Sequence, residues 1–150
     1  MAYPQLSLDS QVCFRLYTVS RLVVQCYRPF LDKIGITYLQ YMAMMVLWEK
    51  DNIPVGDITK RLILDTNTVT PLLQRMEKEG LIIRKKSNQD TRQRIVSLTE
   101  KGRALEEQAK EVPLCMAEYL YGNNITQEEI LSIIPNLDKM ISILKVKKDK

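Results

Sequence analysis

The sequence contains no histidine among its 150 residues, which excludes Ser-His-Asp and Cys-His catalytic sites and most zinc sites. It also lacks a CxxC pair, a P-loop and a GxGxxG run, so nothing indicates a glycine-rich phosphate-binding loop. Few of the groups on which enzymes depend are therefore present. We expect a protein that is not an enzyme and that holds neither a metal ion nor a cofactor.

Signals for membrane insertion and secretion are also missing. No apolar stretch approaches the ~20 residues that span a bilayer, and the N-terminus lacks the basic start and apolar run of a signal peptide. The odd set of cysteines, Cys13, Cys26 and Cys115, does not suit a secreted disulfide framework. We therefore expect a cytoplasmic protein without a membrane partner, whose thiols are reduced by default.

The positive charge is concentrated in one segment. Between Lys60 and Arg94 there are nine basic and four acidic residues, a net charge of +5, whereas the whole chain carries +4 and the remainder therefore −1. A basic segment on an otherwise neutral protein indicates a polyanionic partner such as nucleic acid. A solvated charged face is the alternative interpretation.

Hydrophobic periodicity predicts a mainly helical chain with one small β-hairpin. The chain should begin with a helix from about Leu8 to Ile34, bent at Pro29, followed by a helix capped by Thr37 and Gln40 and a short helix over Val55–Leu62. The helix after Asp65 should stop at Gly80 and bury one apolar face, made of Val69, Leu72, Leu73 and Met76. Strands over 81–86 and 92–98, a helix from Thr99 toward Tyr119 kinked at Pro113, and a last helix capped by Thr126 complete the prediction.

The order of short helix, turn, amphipathic helix and hairpin is that of a winged helix-turn-helix domain, which we place at residues 37–98. Helices in residues 1–36 and 99–150 flank this domain. Their apolar stripes have no obvious partner in so small a domain. We expect them to be dimerisation helices that pair with a second copy of the chain.

The helix after Asp65 carries polar side chains on the face opposite its apolar stripe. Hydroxyls, amides and cations are the groups that contact base edges and phosphates when a helix enters the major groove. The predicted DNA contacts on this helix are Thr66, Asn67, Thr68, Thr70, Gln74, Arg75 and Lys78. Asp65 suits the N-cap better than a contact. Pro71 does not suit a helix interior, so either the helix opens there or its first turn is irregular.

The hairpin carries the second group of predicted DNA contacts. Asp90 and Arg92 lie at its turn, Arg94 follows on the strand, and Lys85 and Lys86 end the first strand. An arginine at a hairpin tip suits a narrow, electronegative minor groove. A salt-bridged exposed turn, in which Asp90 holds Arg92, is the alternative, and both can hold at once.

One stripe of the first helix contains a thiol and two phenols. Its members recur at helical spacing and are Cys13, Tyr17, Ser20, Val24 and Tyr27. Cys13 and Tyr27 are ~21 Å apart along a straight helix and cannot touch within one chain. Two copies packed antiparallel about Ser20 would bring Cys13 of one to Tyr27 of the other, whose hydroxyl can stabilise a thiolate. Tyr17 lies within reach in the same chain. A tyrosine-rich dimer interface is the alternative interpretation.

These segments resemble the MarR family of transcription regulators, and more narrowly its organic-hydroperoxide-responsive OhrR branch. The matching segments are 64–73, 75–77, 90–92, 11–17, 27–29 and 36–41. The resemblance implies a homodimer on a palindromic DNA operator, which represses a peroxide-detoxification gene until its cysteine is oxidised. It assigns the reactive thiol to Cys13 and the hydroxyl partners to Tyr17 and Tyr27. It also supports Arg92 as the wing tip and makes Pro71 a family feature.

The resemblance also implies a chemistry for the thiol. Hydroperoxide takes Cys13 to a sulfenic acid, which a small thiol traps as a mixed disulfide or a second cysteine traps as a protein disulfide. Cys115 is the candidate resolving cysteine, because part of the family uses one from the partner's later helices, and Cys26 is interpreted as structural. Arg15 departs from the apolar residue usual at its position.

Two other functions stay open at this point. One is a MarR-type repressor that a small aromatic ligand releases from DNA, with a pocket built from Met42, Met45, Trp48 and tyrosines. The other is a thiol peroxidase that turns over catalytically. A peroxidase has no use for a basic hairpin and a polar helix face, so we favour the repressor.

Overall fold

The computed structural model describes residues 3–145, and the last part of the predicted C-terminal dimerisation region, residues 146–150, lies outside it. The described chain forms helices and strands in the order α1 Val12–Ile34, α2 Tyr38–Glu49, β1 Ile53–Pro54, α3 Val55–Leu62, α4 Thr66–Lys78, β2 Ile82–Lys86, β3 Arg94–Leu98, α5 Glu100–Ala109, α6 Val112–Tyr121 and α7 Gln127–Lys145. The predicted mainly α fold with a small hairpin is confirmed. Within residues 3–145, every helix is too short or too polar to span a bilayer.

The first helix begins later than the sequence predicts. Two short 3-10 helices, Pro4–Leu6 and Leu8–Ser10, precede α1, and Gln11 between them and α1 has an extended backbone. The predicted start at Leu8 is therefore wrong, because the chain makes a tight turn there before the α-helical hydrogen bonds begin. As a result Cys13 is the second residue of α1 and lies in its first turn.

The predicted capping boxes are confirmed. At the start of α2, Thr37 Oγ1 accepts a hydrogen bond from the Gln40 amide at 3.3 Å, and Gln40 Oε1 accepts one from the Thr37 amide at 2.9 Å. At the start of α7, Thr126 and Glu129 exchange the same two hydrogen bonds at 3.1 and 2.8 Å. Each box satisfies backbone donors that a helix start leaves unpaired.

Helix α4 runs without interruption from Thr66 to Lys78, with Asp65 at the N-cap position. Neither the local opening at Pro71 nor the irregular first turn that we predicted is present. Pro71 stands in the second turn, where its missing N–H leaves the carbonyl of Asn67 without its usual helical donor. The predicted apolar face is buried, and Gly80, with φ of +76°, ends the helix as expected.

The sheet has three antiparallel strands in the order β1-β3-β2. In the hairpin Ile82 pairs with Leu98 and Lys86 with Arg94. The second strand was predicted from Arg92 but begins at Arg94, because the amide of Gln93 donates to the carbonyl of Asp90 and closes a turn instead. Arg92 therefore lies in the loop between the strands, which we call the wing loop, residues 87–93.

The region after the hairpin contains two helices where one kinked helix was predicted. Helix α5 ends at Ala109 and α6 begins at Val112, with Pro113 in its first turn. Proline is favoured in a first turn, since its missing N–H would have no helical partner there. Thr99 caps α5 as predicted, accepting from the amide of Gly102.

The core lies where α2, α3, α4 and the sheet meet, and it includes the fully buried Met44, Leu47, Ile58, Leu73 and Val96. The flanking helices contribute to it unequally. Helices α5 and α6 add Leu105, Ala109 and Val112, whereas α1 buries only Leu31 and no described residue of α7 is buried. Large apolar side chains on α1, α6 and α7 are exposed instead, among them Val12, Phe14, Tyr17, Val19, Leu22, Leu114, Tyr119, Leu131, Ile133, Ile134, Ile141, Ile143 and Leu144. Exposed apolar surface of this extent is typical of a protein interface.

The close packing of α5 on the sheet gives a prediction about Gly102. A Cβ atom at Gly102 would lie 2.2 Å from the carbonyl oxygen of Leu81, so Gly102→Ala must move backbone. We expect the free energy of unfolding to fall by ~2–3 kcal/mol, measured by urea unfolding with the fluorescence of Trp48, whose Nε1 donates to the Gly102 carbonyl at 3.0 Å.

The matched control is Gly56→Ala in α3, where a Cβ would meet nothing within 4 Å. This variant should keep or raise the free energy of unfolding, by ~0.5 kcal/mol, because alanine restricts the unfolded chain. Equal stabilities of the two variants would contradict the packing argument.

Candidate nucleic-acid interface and cysteine site

Polar and basic residues from three elements meet in a cleft between α3, α4 and the wing loop. The cleft has a volume of about 470 Å³, and its walls include Thr70 of α4, Lys60 of α3, and Arg92 and Arg94 of the hairpin. The structure thus brings three predicted DNA contacts together. Lys60 was counted in the basic segment but not assigned a contact, although its place on the helix preceding α4 was a usable signal.

The wing loop fixes the backbone of Arg92 and leaves its side chain exposed. Asp90 Oδ1 accepts a hydrogen bond from the backbone amide of Arg92 at 3.0 Å. Within residues 3–145 neither Asp90 nor Arg92 makes an ion pair, and neither does Arg94. The proposed salt bridge between Asp90 and Arg92 is therefore wrong, because the acid holds the main chain and not the guanidinium.

A different ion pair attaches the wing to α4. Arg84 on β2 donates from its backbone amide to Glu77 Oε1 at 3.0 Å and from its guanidinium to Glu77 Oε2 at 2.9 and 3.2 Å. The guanidinium hydrogen bonds hold the pKa of Glu77 below its ordinary value. Three hydrogen bonds between the same two residues orient the hairpin relative to α4 more firmly than a single surface ion pair would.

The other predicted DNA contacts spread along α4 and β2. Thr66, Asn67 and Thr68 are exposed in the first turn of α4, and Gln74 and Lys78 are exposed farther along. Lys78 ends the helix, ~18 Å along the axis from Thr66, and its DNA contact stays a prediction. Lys85 and Lys86 are exposed on β2.

Arg75 lies on the side of α4 away from the cleft. It lines a second groove of about 680 Å³, formed by the end of α1, the α1–α2 turn and α4, together with Arg28, Tyr38, Gln40 and Glu79 among others. Arg75 thus stands apart from the wing-side contacts.

The alternative ligand pocket was predicted from Met42, Met45, Trp48 and the tyrosines. Of these residues Tyr38 lines the second groove, and Met42, Met45 and Trp48 line neither of the two grooves. Met45 and Trp48 pack against the buried core, and Trp48 also donates a hydrogen bond to the Gly102 carbonyl of α5.

Cys13 is exposed at the start of α1. The first turn of this helix contains no acidic residue, so its partial positive charge is not offset there. Arg15 folds back over the same turn, donating from Nη1 to the carbonyl of Gln11 at 3.0 Å.

The stripe that contains Cys13 is solvent-exposed in the single chain. Tyr17 is 69% exposed, Ser20 and Val24 are exposed, and Tyr27 is half-buried. One helix carries all of them, so the ~21 Å between Cys13 and Tyr27 holds within a chain. Contact between the two needs a second copy, and it stays a prediction.

Tyr27 belongs to a tyrosine cluster that sequence reasoning missed. Its ring centroid lies 5.1 Å from that of Tyr38 and 6.0 Å from that of Tyr41, and the last two are 6.2 Å apart. Tyr38 and Tyr41 are three residues apart at the start of α2, directly after a tight turn, which was the available signal. We call Tyr27, Tyr38 and Tyr41 the tyrosine cluster.

Burial keeps the hydroxyls of this cluster protonated. It raises the pKa of Tyr27 and Tyr38 above the ordinary value, and burial together with the two neighbouring phenols raises the pKa of Tyr41 to about 12. Near neutral pH each phenol is therefore a hydrogen-bond donor. A donor is what a thiolate or sulfenate partner requires.

The two remaining cysteines are free and half-buried. Cys26 lies in α1 one residue before Tyr27, and Cys115 lies in the first turn of α6, which packs against α1. No two cysteines of the chain are joined. The roles predicted for Cys26 and Cys115 stay predictions.

The raised phenol pKa values predict a loss of stability in alkaline solution. When the pKa of a group is higher in the folded protein than in the unfolded chain, the group stabilises the fold fully at pH values below its unfolded-state pKa. This stabilisation is lost as the pH rises through the folded-state pKa. For Tyr41 this window extends from 10.0 to about 12.

We therefore expect the free energy of unfolding to decline over that window, and Tyr41→Phe to reduce the decline by ~1–2 kcal/mol. Urea unfolding at a series of pH values measures both. A Tyr41→Phe protein that loses stability as steeply as the wild type would overturn the assignment.

Comparison with known proteins gives consistent relatives. The family model of the transcriptional regulator SarA/Rot matches residues 25–109. An organic hydroperoxide resistance transcriptional regulator of Bacillus subtilis is 45% identical over 111 residues, which are 74% of this chain and 76% of that protein.

Solved structures of a regulator named AbfR are similar over nearly the whole chain. Reduced AbfR bound to DNA has 34% identity and a TM-score of 0.76, with 93% of this chain and 95% of that one covered. Disulfide-formed AbfR has 33% identity and a TM-score of 0.65, with 91% and 94% covered. Overoxidized AbfR bound to DNA gives a TM-score of 0.77, so the conformation described here is more similar to the DNA-bound forms of AbfR than to its disulfide form.

Proposed function

The chain belongs to the SarA/Rot family of transcriptional regulators, and we propose that it is a dimeric repressor that releases its DNA operator when an organic hydroperoxide oxidises Cys13. The resemblance to the organic-hydroperoxide-responsive branch is confirmed by the 45% identity to the Bacillus subtilis regulator. The relatives are transcriptional regulators and not enzymes, which sets the thiol peroxidase alternative aside.

The observation that carries DNA binding is the cleft where Thr70 of α4 meets Arg92 and Arg94 of the hairpin. The exposed first turn of α4 suits the major groove, and the wing loop beside it suits the adjacent minor groove. The guanidiniums of Arg92 and Arg94 form no ion pair within residues 3–145, so they are available to DNA. A structure of reduced AbfR bound to DNA supports a DNA partner.

The exposed apolar faces of α1, α6 and α7 support a homodimer. A two-fold dimer presents two copies of α4, and these match a palindromic operator when they are separated by about one helical turn, ~34 Å. The same dimer brings Cys13 of one chain to Tyr27 of the other if the α1 helices pack antiparallel about Ser20.

The chemistry proposed for Cys13 is a two-electron oxidation. The thiolate sulfur attacks the outer oxygen of the hydroperoxide, the O–O bond breaks, and the remaining alkoxide leaves as the alcohol after taking up a proton. The product is a sulfenic acid. A small thiol then displaces its hydroxyl as water and leaves a mixed disulfide; Cys115 of the partner is the alternative resolving thiol.

Tyr27 and Tyr17 are proposed to donate hydrogen bonds to the Cys13 thiolate. Tyr38 and Tyr41 pack against Tyr27 and so support its ring. An S-linked thiol adds bulk and removes these hydrogen bonds, and because packed interfaces do not absorb extra volume, the two subunits must shift. A small rotation then moves the two copies of α4 off the operator spacing.

The wing contact is tested by Arg92→Ala. Operator affinity should fall ~10-fold or more, and the dependence of binding on salt should weaken by about one counterion. The probe is a duplex selected by the reduced wild-type protein from a random-sequence pool, called the selected duplex below.

Lys110→Ala, which removes an exposed cation just beyond α5, is the matched control and should bind like the wild type. If Arg92→Ala bound the selected duplex as tightly as the wild type at every salt concentration, Arg92 would not be a DNA contact.

The redox switch is tested by Cys13→Ser. This variant should bind the selected duplex and keep it after treatment with cumene hydroperoxide and a small thiol, whereas the wild type releases it and rebinds after reduction. Cys26→Ser is the control and should respond like the wild type. Mass spectrometry should find the adduct on Cys13. Peroxide-dependent release by Cys13→Ser would favour the ligand-released repressor instead.

The Tyr27→Phe variant tests the role of the phenol while the Cys13 thiol is kept. Without its hydroxyl donor the thiolate loses one hydrogen bond, and oxidation of Cys13 should slow by ~10-fold, corresponding to ~1.4 kcal/mol. The rate is measured by loss of free thiol under excess hydroperoxide in the Cys26→Ser and Cys115→Ser background. An unchanged rate would exclude Tyr27 as a partner.

A further inference from the structure

The buried side-chain amide of Gln40 links the tyrosine cluster to α4, the helix predicted to contact DNA bases. Gln40 is 1% exposed and is the one buried polar side chain in the described part of the chain. Its Oε1 accepts from the Thr37 amide at 2.9 Å, and its Nε2 donates to Glu79 Oε2 at 2.8 Å. A capping box needs only the oxygen, which glutamate supplies equally well. The bond to Glu79 needs the nitrogen, which only glutamine has.

The two ends of this bond belong to different parts of the proposed mechanism. Gln40 lies in the first turn of α2, between Tyr38 and Tyr41 of the tyrosine cluster. Glu79 is the C-cap residue of α4. Among the side-chain hydrogen bonds of residues 3–145, only this one joins α2 to α4 or to its C-cap.

The end of α4 is also attached to the rest of the DNA-binding surface. Glu77 binds Arg84 of the hairpin, Lys101 Nζ donates to the Glu79 carbonyl at 2.8 Å, and Thr99 Oγ1 donates to the Gly80 carbonyl at 2.5 Å. These contacts tie α4, the wing and the start of α5 into one unit. A movement of the first turn of α2 therefore reaches the unit through the Gln40 hydrogen bond, in addition to the packing of α2 on α4 and α5.

A small tilt about the C-terminal end of α4 produces a large displacement at its N-terminal end, which is predicted to contact the DNA. Helix α4 has 13 residues and is ~20 Å long, so a ~10° tilt about its C-terminal end displaces Thr66 by ~3 Å. Hydrogen bonds to base edges tolerate only a few tenths of an ångström. The tilt would therefore break them.

We propose that Gln40 is a positioning residue, whose hydrogen bond to Glu79 transmits displacement of the tyrosine cluster on Cys13 oxidation to the orientation of α4. The proposal rests on the redox function proposed above. Gln40 itself is buried and contacts neither the thiol nor the DNA.

The test measures the factor by which cumene hydroperoxide with a small thiol raises the Kd for the selected duplex. Glu79→Ala removes the acceptor at an exposed position, and we expect the factor to fall about fivefold or more. Glu79→Gln keeps an acceptor oxygen of the same shape and should retain the wild-type factor.

A reciprocal pair of variants gives a second readout. Gln40→Glu keeps the capping box but sets two carboxylates against each other, so its factor should fall as in Glu79→Ala. In Gln40→Glu/Glu79→Gln the amide of residue 79 donates to the carboxylate of residue 40, and the factor should return. Thermal unfolding of each variant separates this coupling from stability, because loss of a merely structural bond lowers the melting temperature and leaves the factor unchanged.

The outcomes distinguish the two proposals. A wild-type protein that keeps the selected duplex after oxidation contradicts the redox function itself. A responsive wild type with an equally responsive, folded Glu79→Ala contradicts only the link through Gln40, and so does a double variant that stays uncoupled. Glu79→Ala decides the matter if Gln40→Glu does not fold.

Discussion

The tight turn between α1 and α2 is the constraint on which the proposed sensor depends. Gly35 has φ of +74°, a left-handed backbone conformation that is strained for residues with a side chain. The amide of the next residue, Ile36, donates a hydrogen bond to the Leu31 carbonyl. Leu31 and Ile36 are both buried, so the turn is held by the core as well. Because α2 starts three residues after Gly35, Tyr38 comes back onto Tyr27. A longer connection would leave the phenols apart.

The charge pattern alone could not separate a DNA-binding face from a solvated one, and the ion pairs explain why. Of the basic residues in the positive segment, Arg61 pairs with Glu49 and Arg84 with Glu77, so both have structural partners. Lys60, Arg92 and Arg94 line the cleft without an ion pair in residues 3–145. The net charge of a segment counts both groups equally. The structure distinguishes the cations that form ion pairs within the protein from those that line the cleft without one.

Local patterns predicted the elements whose signals are local. Both capping boxes, the buried face of α4 and the hairpin follow from spacings of three or four residues, or of two. The errors lie where the local pattern is too short to decide the structure. Strand β1 has only two residues and therefore no periodicity to detect. Residues Leu8–Ser10 were predicted to be α-helical but form a 3-10 turn. Tyr38 and Tyr41 were missed because their contact with Tyr27 crosses a turn, which periodicity within one helix does not report.

A single chain holds the parts of the proposed redox switch but keeps them apart. The Cys13 thiol lies at one end of α1 and the tyrosine cluster near the other, and the stripe between them is exposed. If a second copy covers this stripe as proposed, the surface that senses oxidant and the surface that holds the dimer are the same. Bulk added at Cys13 then presses on Tyr27 of the partner, which rests on Tyr38 and Tyr41 at the start of α2. Since close-packed rings do not compress, the proposed displacement would pass into the helix-turn-helix and would not be absorbed at the interface.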